Sequence, residues 1–155
     1  MNDSYYMKMA ISRAEEGVKK GQSPFGAVIV RNGEVISCEH NHVWDTTDPT
    51  AHAEIIAIRN AAGKIGDLDL TGSSIYTTCE PCPMCFSAIH WARISRIIYG
   101  ARVEDSTKLG FNEISVSNLK LNREWGCGIE IISDFMRDDI MKLFKIWSEL
   151  SNQPY

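Results

Sequence analysis

Hydrophobic and polar positions along the chain change period several times, and each change predicts an element. Residues 4–20, "SYYMKMAISRAEEGVKK", place Met7, Ile11, Ala14 and Val18 at helical spacing, and Gly21 is the stop signal. "PFGAVIV" and "EVISCEH" are β-rich runs on either side of "RNG", and Asn32-Gly33 predicts a tight hairpin between them. "NHVWDTTDP" is polar and predicts a loop. "TAHAEIIAIRNAAG" returns to helical spacing, with Thr50 as the expected N-cap, Glu54 early in the helix and Gly63 at its end. "GKIGDLDLTG" reads as a loop and "SSIYTT" as a short strand. "PCPMCFSAIHWAR" reads as a helix with Pro81 in its first turn.

The second half continues the alternation. "RIIYGA" is a short apolar strand, "DSTKLGFNE" a turn of helix or a loop, and "IEIIS" a further strand. "DFMRDDIMKLFKIWSEL" predicts a closing helix with Phe135, Ile140, Phe144 and Trp147 toward one side. No repeat, low-complexity tract or linker interrupts the pattern. Alternating helices and strands imply one α/β domain over residues 1–155, with a mixed sheet covered by helices on both faces.

Composition narrows the function. At 155 residues and 44% hydrophobic, the chain can bury a core without covalent staples. It has no apolar run long enough for a membrane span, and "MNDSYYMKMA" is not a basic-then-apolar leader, so a cytoplasmic location is expected. The net charge of −4 lacks the basic excess typical of a nucleic-acid binder and favours a small uncharged ligand. Three of the five cysteines, Cys79, Cys82 and Cys85, crowd into "CEPCPMC", a spacing that favours metal binding over disulfides.

A catalytic zinc needs three protein ligands and one open position. Cys82 and Cys85, three apart at a helix start, can share one ion, and His52 at the start of another helix can supply the third ligand. His52-Ala53-Glu54 followed by Pro81-Cys82-Pro83-Met84-Cys85 is the H-x-E…P-C-x-x-C pattern of zinc deaminases. This register leaves Cys79 as a buried small residue and gives Glu54 the proton shuttle, a role that a purely structural zinc module does not need.

These residues resemble the cytidine and deoxycytidylate deaminase superfamily. "PFGAVIV", "DPTAHAEIIAIRNA", "YTTCEPCPMCFSAIHWAR" and "LGFNE" are most similar to the bacterial guanine deaminases. The resemblance implies a three-layer α/β/α fold with a mixed five-stranded sheet, a Zn2+ cofactor and hydrolysis of guanine to xanthine and ammonia. It also implies base contacts from Asn41, Phe25, Trp91 and Glu113, the last standing where an aspartate is usual. Tyr155, ending the tail 151–155, matches a tail that closes the site of a partner subunit, so a homodimer with exchanged tails is expected. The tRNA adenosine deaminases share "DPTAHAE" and the "EPC" motif but carry a basic C-terminal helix, where this chain has the acidic "SDFMRDDIMKLF". Deamination of tRNA adenosine, guanosine or cytosine is the alternative within the superfamily. A non-catalytic zinc-stabilised binding module is the alternative outside it.

Overall fold

Five strands form one mixed sheet in the computed structural model, which describes residues 2–155. The order of elements is α1 (Asp3–Lys19), β1 (Gly26–Arg31), β2 (Glu34–His40), α2 (Val43–Thr46), α3 (Ala53–Ile65), β3 (Ser73–Cys79), α4 (Pro83–Trp91), β4 (Arg96–Ala101), α5 (Val103–Lys108), α6 (Asn118–Trp125), β5 (Glu130–Ile132) and α7 (Arg137–Ser148). The sheet order is β2-β1-β3-β4-β5. β1 pairs antiparallel with β2 and β3, whereas β3–β4 and β4–β5 are parallel. The expected five-stranded mixed α/β architecture is therefore present.

The apolar runs of β1 and β4 follow from burial on both faces, and β3 is buried along its whole length although it carries two serines and two threonines. Side chains alternate along a strand. Ala27 and Ile29 thus join Ile75, Ile97 and Tyr99 against Ala53, Ala57 and Phe86 of α3 and α4. Val28 and Val30 join Tyr76 and Ile98 on the other face, against Met7 and Ala10 of α1 and Ile140 and Phe144 of α7. The hairpin turn is the one the sequence predicts: Asn32 and Gly33 both have positive φ, 52° and 80°. At the start of β1, α1 lies so close that a Cβ on Gly26 would stand 2.2 Å from the Ala10 carbonyl oxygen, so only glycine fits.

Several boundaries differ from expectation. Thr50 does not cap α3; the Asp48 carboxylate accepts both its amide and its hydroxyl, at 2.8 and 2.7 Å, and the helix begins after His52. Gly63 lies inside α3, which runs on to a left-handed cap at Gly66, where φ is 75°. Pro83, not Pro81, opens α4. The segment expected as a polar loop contains the short α2, and α7 begins beyond Phe135. α6 was not anticipated, although Ser117 caps it by accepting from Lys120 N–H and Gly126 ends it. No helix of the described residues is long and apolar enough to cross a membrane.

Candidate metal centre and active site

The site forms where the starts of α3 and α4 meet beyond the end of β3. His52 and Cys82 occupy the N-cap positions of these two helices in extended conformation (ψ 153° and 166°), and neither side chain caps its own helix. Both side chains are thereby free to face each other. His52 Nδ1 lies 3.6 Å from Cys82 Sγ and 3.5 Å from Cys85 Sγ. The three donor atoms all fall within 4.8 Å of one another, and they are the one such group among the described residues. Bond lengths of about 2.3 Å to sulfur and 2.0 Å to nitrogen give a tetrahedral N···S edge of about 3.5 Å, so the donor set fits zinc. Cys79 stands apart: it is buried, with its sulfur 3.7 Å from the Arg102 carbonyl oxygen.

Of the three donors, only Cys82 is drawn toward its ligating form by its neighbours. A hydrogen bond from the Cys85 thiol, reinforced by the bond and charge of His52, pulls the Cys82 thiol down to about 4. Burial pushes Cys85 well above the ordinary thiol range. Burial alone pulls His52 down, but its hydrogen bond with Cys82 and the charge of Glu54 outweigh that and leave it raised. Glu54, buried in the first turn of α3, is lifted to about 7 chiefly by burial.

Two adjoining spaces meet at these residues. A small inner cavity of about 20 Å³ is lined by Phe25, His52, Glu54, Cys82, Glu113 and Tyr155, with Cys79 and Glu80. An outer cleft of about 310 Å³ shares His52, Cys82, Glu113 and Tyr155 and adds Pro49, Met84 and Phe111 to its walls. Glu113 accepts from the Ser106 hydroxyl at 3.0 Å, and burial raises its carboxyl. Phe25 packs on Phe111 with ring centroids 4.9 Å apart.

The tail 151–155 folds over its own chain's site. The Tyr155 hydroxyl accepts from Asn41 Nδ2 at 2.5 Å, its carbonyl accepts from Asn112 N–H at 2.9 Å, and its ring lies 5.5 Å from that of His52. Trp44 Nε1 donates to the Gln153 carbonyl at 3.2 Å. In this chain the tail thus caps an active site, its own. Asn41 is fully buried, and its Oδ1 accepts from Val43 N–H at 3.1 Å.

Trp91 does not join this group. It is 82% exposed at the last residue of α4, on the side of the helix away from the buried Cys85, Phe86 and Ile89. Residues that the sequence reading missed include Glu80, Ser106, Phe111 and Trp44. Glu80 carried a signal, a carboxylate next to a metal motif, whereas the other three are brought in only by the chain's path.

Known proteins agree with this geometry. The sequence profile described as the cytidine and deoxycytidylate deaminase zinc-binding region matches residues 1–101. The chain is 46% identical over 114 residues to the guanine deaminase of Bacillus subtilis, covering 73% of each, and superposes on its X-ray structure with a TM-score of 0.70. It is 36% identical over 141 residues to a tRNA-specific adenosine deaminase of Buchnera aphidicola, covering 91% of this chain and 90% of that one. A guanine deaminase structure from Nitrosomonas europaea shares the fold at 24% identity, with a TM-score of 0.88 over 97% of this chain and 86% of that one. A His-Cys-Cys trio beside a buried glutamate, on this sheet and with this profile, places the chain in the cytidine and deoxycytidylate deaminase family of zinc-dependent enzymes.

Proposed function

We propose that this deaminase acts on a free purine base and hydrolyses guanine to xanthine and ammonia. The observation that carries the reading is the position of Glu113: a half-buried carboxylate lining the same cavity as Glu54, His52 and Cys82. Guanine presents N1–H and its 2-amino group side by side, a donor edge that a carboxylate can accept. Adenine lacks the N1–H donor. Ser106 occupies Glu113 Oε1, which leaves Oε2 for the base.

The ion that His52, Cys82 and Cys85 would hold supplies an acidified water as nucleophile. Glu54 would take one proton from the attacking water and pass it to the ring nitrogen beside C2 as the C2–O bond forms, then take the second from the resulting hydroxyl and pass it to the amine as the C2–N bond breaks and ammonia leaves. Glu54 is buried in the first turn of α3 beside the trio, within reach of the proton it has to move. Phe25 supplies an apolar wall for the ring; Asn41, fully buried and bonded to Val43 and Tyr155, lines neither space and instead holds the Tyr155 hydroxyl at the site. Tyr155 excludes water.

A second reading, deamination of a tRNA adenosine, draws on the Buchnera relative's near-complete coverage of the chain. One experiment separates the two: the purified protein is incubated with guanine, guanosine, adenine, cytosine and a tRNA anticodon stem, and ammonia is measured. Leaving a desolvated charged acceptor unpaired costs roughly 1–3 kcal/mol, so guanine should exceed adenine by at least about tenfold in kcat/KM. Equal rates, or faster turnover of the RNA or cytosine, would reject guanine as the substrate.

A further inference from the structure

Glu80 stands two residues before Cys82, yet it is not one of the three clustered donors, and Glu54 already supplies the proton shuttle. It is 4% exposed. A carboxylate is costly to bury unless its oxygens are hydrogen-bonded. Three donors converge on this one. Oε1 accepts from the Tyr99 hydroxyl at 3.1 Å and from Asn118 N–H at 2.7 Å, and Oε2 accepts from Val103 N–H at 3.1 Å.

The origin of these donors is informative. Val103 is the first residue of α5 and Asn118 the first of α6. The segment carrying Glu113 lies between these helices, so Glu80 fastens the start of the helix on each side of it. Asn118 Nδ2 donates to the Pro81 carbonyl at 2.6 Å and closes the same junction from the other side. Ser106 then passes the position of α5 on to Glu113 through its hydroxyl. The cavity containing Glu54 and Glu113 includes Glu80 in its wall.

We propose that Glu80 is a positioning residue: it locks the segment bearing Glu113 in register with the Cys82 turn, so that the carboxylate meeting the base is fixed relative to the metal-binding trio. The inference rests on the reading of Glu113 as the residue that meets the base. Loss or weakening of one hydrogen bond to the base costs about tenfold in affinity. The effect of Glu80 should therefore appear in base binding and travel through Glu113.

The test is a double-mutant cycle on the zinc-loaded full chain with Glu80→Gln, Glu113→Gln and both together. It reads zinc per chain, Tm, KM and kcat for whichever base is deaminated fastest. Glu80→Gln should keep its zinc and lose about tenfold or more in kcat/KM, mainly through KM. In the Glu113→Gln background the same change should cost less than about threefold, because coupled residues are not additive. An equal loss in both backgrounds, a loss confined to kcat, or no loss would overturn the proposal, as would a Glu113→Gln variant with unchanged kcat/KM. Where Glu80→Gln does not fold, Tyr99→Phe removes one of the three donors and takes its place in the cycle, with the same results supporting or overturning the proposal. A preferred base other than guanine would reject the substrate assignment while leaving the cycle readable.

Discussion

Deleting residues 151–155 tests whether the tail serves catalysis or stability. Three hydrogen bonds hold it, through Trp44, Asn112 and Asn41, and the Tyr155 ring packs edge-on to Phe111 at 5.2 Å. At about 1 kcal/mol net per hydrogen bond and about 2 kcal/mol for the half-buried ring, attachment is worth about 5 kcal/mol. Ordering this short tail costs about 5–7 kcal/mol of conformational entropy. The terms nearly cancel, so truncation should shift Tm by less than about 4 °C. The effect on the site is larger. Asn41 loses the partner that orients its Nδ2, and the cleft loses the wall that Tyr155 provides. Loss of one orienting hydrogen bond, about 1.4 kcal/mol, lowers kcat/KM about tenfold. The assay compares kcat/KM of full-length and truncated protein at equal zinc loading, alongside thermal unfolding. Unchanged kcat/KM would refute a catalytic tail, and a Tm fall beyond about 8 °C would show that the tail stabilises the fold instead.

Cys82→Ala should lose zinc and activity, whereas Cys79→Ala should keep both; elemental analysis of the two variants decides the register. Glu54→Gln should retain zinc and lose at least about a hundredfold in turnover, and near-normal turnover would remove Glu54 from the chemistry. Asp105→Asn should destabilise the protein by about 2 kcal/mol at pH 7, since two hydrogen bonds from Arg137 end on that buried carboxylate. The same bonds, ahead of the amide of Arg102 and the Arg137 charge, hold its carboxyl below the ordinary range. A depressed carboxyl contributes its stability above the unfolded value near 4 and loses it as pH falls through the folded value. The gap in urea midpoint between wild type and variant should therefore be full at pH 7 and shrink below about pH 4; a gap independent of pH would assign the loss to packing.

The metal-binding trio was legible because its members belong to two short motifs whose spacing carries the chemistry. The strands were legible because β1 and β4 are short apolar runs and β3 is rich in β-branched and aromatic residues. α6 escaped because its apolar residues do not mark a buried stripe: Leu121 is buried, while Leu119 and Trp125 are 55% and 56% exposed. It is held instead by the Ser117 cap and by Asn122, whose side chain bonds both the N–H and the carbonyl of Ile129. Glu80 escaped as a positioning residue because its donors lie 19, 23 and 38 residues along the chain. Trp91 stands 82% exposed on this chain because the buried face of α4 is taken by Cys85, Phe86 and Ile89. Thr50 was misassigned because Asp48 competes for it.

His52, Glu54, Cys82 and Cys85 all lie within residues 52–85, the stretch that builds α3, β3 and the start of α4. Phe25, Asn41, Glu113 and Tyr155 reach the site from outside that stretch. On the proposed reading, the groups that carry the reaction lie in one stretch of the chain and those that meet the base lie in others. The same division tells a protein engineer where to graft: replacing residues 109–117 and 151–155 together should redirect the enzyme toward another amino-bearing base, with residues 52–85 kept as a fixed cassette.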